Sequence, residues 1–245
     1  MAHSLDNDKH GIIEAMRKDG TFVDGDHIVY KQFENHGEGY LDKIAHLKQE
    51  GVAHHIGHLL AHGIPEGSIV IAPETSSTNL GEMVGVFANG VVVPTKKVKD
   101  IHTFDESVLP LLMSGKRIIG IDDISNNGRT LREIQAALAE HGLTLDEFRV
   151  MVDRNPEQSA GITDLQFIAL ASVQMEQWHE SKVPQGLKDR PISTKLGNGR
   201  RWTEQNLSSF EVTRQRLHKE DLGFHFDDGK RLKQIEIDGW FLEPR

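Results

Sequence analysis

The stretch Lys116–His141, KRIIGIDDISNNGRTLREIQAALAEH, decides how this chain folds. Ile118, Ile119 and Ile121 around Gly120 form a short apolar run without polar interruption, which suits a strand buried between the layers of an α/β domain. Asp122 and Asp123 end it. Ser125, Asn126, Asn127 and Gly128 then accept tight or left-handed backbone, and Thr130 precedes a helix with apolar positions at Leu131, Ile134, Ala137 and Leu138. Backbone N–H groups in such a loop and in the first helical turn lack an internal partner and form an anion cradle, whereas adjacent carboxylates suit ribose hydroxyls or a hard cation. Like charges repel, so an anion beside Asp122 and Asp123 needs hydroxyls or a cation between, which describes a sugar phosphate better than a simple anion. The residues alone leave open a second reading, in which the two carboxylates solvate a strand end and cap the next turn.

Working outward from this stretch, the pattern alternates strand and helix. Leu41 to Leu60 has helical spacing, weakened at Gly51 and Gly57. Ser68–Ala72 reads as a strand that delivers Glu74, Thr75, Ser76, Ser77 and Thr78 to a loop before a helix over 80–88, where Ser77 and Thr78 are also candidate caps. Val91, Val92 and Val93 begin another strand that closes at Pro94, followed by the basic run Lys96, Lys97 and Lys99. Downstream, Phe148, Val150 and Val152 mark a strand ending at Asp153-Arg154, and Leu165–Leu170 marks one more. This βαβ alternation predicts a mostly parallel central sheet with right-handed crossovers and helices on its faces.

The ends differ from the centre. Ile12, Ile13 and Met16 suggest a short helix, Asp24-Gly25 a hairpin turn within 21–33, and 33–39 a polar turn. Beyond residue 178 the chain becomes polar, with a connector at 180–200, a helix near 204–217 and short strands near 223–242 that turn at Asp227-Asp228-Gly229. The expected organisation is an N-terminal extension or hood (1–40), a core (41–178) and a C-terminal extension (179–245).

At 245 residues the chain can bury one substantial core plus a smaller unit, and 37% hydrophobic with 27% charged residues reads as globular. The net charge of −9 argues against broad nucleic-acid binding, and the absence of Cys excludes disulfides and thiolate chemistry. No apolar stretch approaches the length of a membrane span and the first residues do not resemble a leader, so the expectation is a cytoplasmic protein. His54, His55, His58 and His62 would share one side of a helix, which reads as a partly solvated face or an interface rather than a metal site.

The stretch Ile118–Thr130 also resembles the phosphoribosyl pyrophosphate (PRPP) motif of type I phosphoribosyltransferases, in which a hydrophobic strand runs into two acidic residues and a small polar loop. The resemblance covers about 41–173 and is densest at 118–131. It implies that Asp122 and Asp123 hold the ribose hydroxyls and Mg²⁺, and that Ser125, Asn126, Asn127, Gly128, Arg129 and Thr130 surround the 5′-phosphate. It further implies that Glu74, Thr75, Ser76 and Ser77 receive the pyrophosphate, that Lys96, Lys97 and Lys99 neutralise it as it leaves, and that Ile101–Ser107 is a mobile segment. Asn126 and Asn127 stand where Thr is usual, and Arg129 stands where a second Gly is common.

The implied activity is Mg²⁺-dependent transfer of phosphoribosyl from PRPP to a nucleobase or related heterocycle, in nucleotide metabolism, by a homodimer. Two alternatives stay open. One is a PRPP- or nucleotide-binding regulatory protein without transfer chemistry, and the other is an unrelated phosphatase-like α/β protein using Asp122.

Overall fold

Strand–helix alternation around the Ile118 run is what the computed structural model shows, for residues 6–30, 34–74, 77–99, 101–159, 165–206, 236–237 and 240–241. The order begins with β1 (Asp6–Asp8), α1 (Ile12–Lys18), β2 (Phe22–Val29), β3 (Asn35–Leu41), α2 (Lys43–Leu47) and α3 (Val52–Ala61). It continues through β4 (Ile69–Pro73), α4 (Thr78–Phe87), β5 (Val91–Val98), β6 (Ile101–Thr103) and α5 (Leu109–Leu112). Then come β7 (Ile118–Ser125), α6 (Arg129–Ala139), β8 (Glu147–Asp153), α7 (Pro156–Ser159), β9 (Gln166–Val173) and β10 (Gln177–His179). The last elements are α8 (Gln185–Lys188), α9 (Gly199–Asn206), β11 (Glu236–Ile237) and β12 (Trp240–Phe241).

The chain divides into two units, one of residues 1–23 with 41–176 and one of 24–40 with 177–245. In the larger, seven strands run in the order β1-β9-β8-β7-β4-β5-β6. The inner pairs β9-β8, β8-β7, β7-β4 and β4-β5 are parallel, whereas β1 and β6 pair antiparallel at the edges. Period-two alternation along β7 sends Ile119 and Ile121 into a cluster with Ile12, Met16, Leu60 and Val84, while Ile118 joins Leu131, Ile134, Leu138 and Phe148 on the opposite face. Both faces are thus covered by helices, which is why the strand carries no polar residue before Asp122. Gly120 is required by this packing, since a Cβ there would stand 2.4 Å from the Phe148 ring.

A buried ion pair locks the larger unit. Arg149 Nε lies 2.6 Å from Glu147 Oε1, and its Nη1 donates to the carbonyls of Leu60 and His62 at 2.6 and 2.7 Å. Those carbonyls end α3 without helical partners, so one guanidinium satisfies a carboxylate and a helix terminus together.

Several sequence expectations are corrected. The helix over 41–60 is two helices, because Gly51 takes φ +76° at the start of α3. Asp24-Gly25 is not a turn. β2 runs through it with Gly25 at φ +86°, and beyond its end the Tyr30 N–H donates to the carbonyl of Asn35 in β3. Residues 35–39 are strand rather than polar turn, with His36 and Gly37 buried in β3. α9 starts at Gly199, earlier than expected; the remainder of the expected helix at 207–217 and the Asp227-Asp228-Gly229 turn lie outside the described residues.

The smaller unit holds the sheet β10-β3-β2. His27 and His36 are buried there side by side, Nε2 to Nδ1 at 2.7 Å, and Trp202 meets His36 edge-on at 5.3 Å. Burial, then the neighbouring His36, lowers the His27 pKa to about 4.

Two outcomes follow from these contacts. Arg149→Met leaves the Glu147 charge and two carbonyls buried without partners, so urea unfolding should show a loss of about 3–5 kcal/mol. A histidine held neutral stabilises the fold above its ordinary pKa and loses that contribution as pH falls toward its folded value. Amide exchange in β2 and β3, corrected for intrinsic rate, should therefore quicken between pH 7 and pH 5, whereas exchange in β7 and β8 should not quicken.

Candidate active site

Parallel pairing sets the ends of β4, β5, β7 and β8 along one edge of the sheet, where helix starts and loops converge. Asp122 and Asp123 lie near that end of β7, which runs on to Ser125, and both are buried, Asp123 completely. Ser77, at the start of α4, donates its hydroxyl to Asp122 Oδ1 at 2.5 Å, and the N–H of Asp123 donates to the same oxygen at 2.8 Å. The expected capping role of Ser77 is not realised, since its hydroxyl is turned to Asp122 and makes no cap bond to α4. Burial, followed by the charge of Asp123, raises the Asp122 pKa to about 7.

Asp123 has a partner that local sequence did not reveal. Lys43 Nζ lies 2.5 Å from its Oδ1, which also accepts the N–H of Ile124 at 2.7 Å. Lys43 leaves the first turn of α2, where Asp42 caps the helix by accepting the N–H of Ala45.

The loop after the pair is built as a tight turn. Gly128 takes φ +67°, its N–H reaches Ser125 Oγ at 3.3 Å, and Asn127 Oδ1 accepts the N–H of Arg129 at 3.1 Å. Asn126, Asn127 and Arg129 are exposed, Thr130 is half-buried, and the N-cap residue Gly128 has no side chain to cap α6. The end of β8 braces this loop: Arg154 N donates to the Ser125 carbonyl, Asn155 Nδ2 to that of Asn126, and Gln174 Nε2 to Asn155 Oδ1. Asp153, positioned like a candidate acid or base, is buried and accepts from Asn155 N and Ser159 Oγ.

The basic run is part of a hairpin, which corrects the strand end at Pro94 and gives Ile101–Thr103 a strand partner. β5 continues to Val98 and pairs antiparallel with β6, Lys97 opposite His102. Pro94 is tolerated because the flanking Thr95 turns its carbonyl to β4, accepting the N–H of Glu74, so position 94 faces the open edge where no N–H is needed. Lys96, Lys97 and Lys99 are exposed, and Lys96 lies 3.1 Å from Asp105. Asp105 is held below the usual carboxylate range by Ser107 and then Lys96.

At the hairpin base, Thr95 and His102 are buried and joined at 2.7 Å. His102 Nε2 stands 3.8 Å from Glu133 Oε2, and the other oxygen of Glu133 holds Arg129 Nε one helical turn away. Burial, then Lys97, lowers the His102 pKa. Glu74 is exposed at the end of β4, whereas Thr75 and Ser76 lie outside the described residues.

Orotate phosphoribosyltransferase from Aeropyrum pernix superposes with a TM-score of 0.50 at 16% identity, over 66% of this chain and 93% of that one. Adenine phosphoribosyltransferase from Leishmania donovani gives 0.51 at 14% identity, over 85% and 93%. The fold is that of the type I phosphoribosyltransferases. UMP synthase from Leishmania donovani matches at 0.51 and 13% identity, over 85% of this chain and 42% of that one. No family model and no curated protein matches the sequence. Among the described residues no helix is long and apolar enough to cross a membrane.

The raised Asp122 pKa has a sign that can be checked. A carboxyl whose folded pKa lies above its unfolded value favours the fold when protonated, and that contribution is lost as pH rises toward the folded value. Asp122→Asn keeps the oxygen that accepts from Ser77 and removes the charge. It should melt higher than the wild type at pH 8, with the difference shrinking from pH 7 to pH 4.

Proposed function

We propose that this protein transfers the phosphoribosyl group of PRPP to a nucleobase or related heterocycle, with release of pyrophosphate. The observation that carries this reading is the shared edge: the acidic pair and the turn into α6 follow β7, and the lysine hairpin continues β5, on either side of β4 in a type I phosphoribosyltransferase fold. In the transfer, the bond from ribose C1 to the pyrophosphate oxygen breaks with its electron pair leaving on pyrophosphate. A ring nitrogen of the base then forms the new bond to C1.

Ser125 to Thr130 would receive the 5′-phosphate, with Arg129 supplying positive charge. Asp122 and Asp123 would meet the ribose hydroxyls beside Lys43, whose side chain is 32% exposed. Lys96, Lys97 and Lys99, together with the β4 loop from Glu74 to Ser77, would offset the charge developing on pyrophosphate.

Mg²⁺ was expected at Asp122 and Asp123, and the residues as arranged do not fit a directly bound cation. One oxygen of Asp123 already takes an ammonium and a backbone N–H, and one oxygen of Asp122 takes a hydroxyl and a backbone N–H. Among the described residues no group of three or more His, Asp or Glu side chains is set to hold a metal.

The second reading, a PRPP-binding regulator without transfer, is favoured by one feature. Arg129 is drawn onto Glu133 at the position where the family often carries Gly.

Incubation with PRPP and a panel of purine and pyrimidine bases should release pyrophosphate with at least one base. Tight PRPP binding with no turnover would instead support the regulator. Replacing Lys96, Lys97 and Lys99 together by Ala should lower kcat by about 100-fold or more, on the scale of losing a transition-state donor, while ribose 5-phosphate still binds. The double variant Asp122→Asn, Asp123→Asn should stay folded and lose PRPP binding in calorimetry.

A further inference from the structure

We propose that Lys43 is the resident counter-ion of the acidic pair, a positioning residue standing where a divalent cation would otherwise sit, so that the pair binds no metal of its own. For its role toward the sugar this rests on the phosphoribosyl reading above; for the charge arrangement it does not.

Asp123 is fully buried at the end of β7, and an isolated charge cannot be held there without a partner. Lys43 supplies it at 2.5 Å, from a side chain that is itself one-third exposed. The ammonium is delivered from a fixed platform. Asp42 N donates to the Thr21 carbonyl at 2.7 Å, while Asp19 Oδ2 takes His46 Nδ1 at 2.9 Å and Gln49 Nε2 at 2.7 Å. Both ends of α2 are therefore tied to the segment that follows α1, and Lys43 is set before any ligand arrives.

A divalent cation needs oxygen ligands at about 2.0–2.6 Å. At Asp123 it would have to displace Lys43 or stand within a few ångströms of its ammonium, with like charges opposed in a poorly solvated place. The pair instead presents one positive and two potentially negative groups. Such a set can accept hydrogen bonds from ribose hydroxyls and donate one from Nζ without recruiting a metal.

Mn²⁺ is a suitable probe of the full chain, with the free ion followed by electron paramagnetic resonance. Wild type and Lys43→Arg should bind no Mn²⁺ that Asp123→Asn removes. Lys43→Met, which opens the place beside Asp123, should gain one site per chain, and Lys43→Met combined with Asp123→Asn should lose it again. Mn²⁺ bound by wild type and lost in Asp123→Asn would overturn the proposal, as would a folded Lys43→Met that gains no site. Should Lys43→Met fail to fold by circular dichroism, the comparison of wild type with Asp123→Asn decides alone.

Calorimetry with ribose 5-phosphate separates the two readings. Wild-type affinity should be the same within about twofold in EDTA and in Mg²⁺, and Lys43→Met should bind at least about tenfold more weakly in EDTA, the scale of one charge-assisted hydrogen bond. Mn²⁺ results as expected with no ribose 5-phosphate binding by any form would sink the phosphoribosyl reading and leave the Lys43 assignment standing.

Discussion

A carboxylate with no exposed surface must be neutralised from within the protein, and at the end of β7 this constraint organises the surrounding fold. Asp123 is served by Lys43 from the start of α2, and Asp122 by Ser77 from the start of α4. Two helix starts from distant parts of the chain are thereby fixed to the last residues of the central strand. The hydrophobic layers would tolerate some sliding of α2 and α4, because apolar contact is not directional. The buried polar contacts are directional, and they set where the helix starts lie relative to the loop at 125–130.

The central stretch was legible because its signals are local. Apolar run, acidic pair, turn residues and helix period are all read within 26 consecutive positions; α6 falls where those signals place it, and β7 runs two residues past the acidic pair, to Ser125, because its ladder with β8 continues there. What was missed depends on contacts far apart in the chain. Lys43 looks like an ordinary solvated residue at a helix start, and nothing near it points to an aspartate 80 positions away. The hairpin beyond Pro94 was hidden for a related reason: proline breaks strands as a rule, and only its place facing an open edge makes it harmless here. Asp24-Gly25 carried a turn signature, yet β2 absorbs it at a left-handed Gly25.

Arg129 illustrates how a departure from a motif can be physically absorbed. An arginine after the turn glycine puts a large cation beside the loop. Glu133, one helical turn on, takes it, as i,i+4 geometry allows, and the same carboxylate faces His102 at the hairpin base. The first turns of α6 and the base of β5–β6 thus share one acidic side chain. His102 is kept toward its neutral form by burial, so the Glu133 charge is directed mainly at Arg129.

The distribution of charge by depth then bears on what the edge can hold. The carboxylates are buried, Asp123 against the Lys43 ammonium and Asp122 against a hydroxyl and an N–H, while Lys96, Lys97, Lys99 and Arg129 are exposed. A ligand that carried its negative charge inward would meet Asp122 and Asp123 and lose hydration without compensation. A ligand with neutral hydroxyls at its centre and phosphates at its periphery meets acceptors below and cations at the rim. A net charge of −9 for the whole chain does not oppose this, because screening over about 8–10 Å leaves the nearest groups in control. The phosphorylated sugar proposed above would fit this order of groups by where its own polarity changes sign, from hydroxyls on the ring to phosphates at its ends.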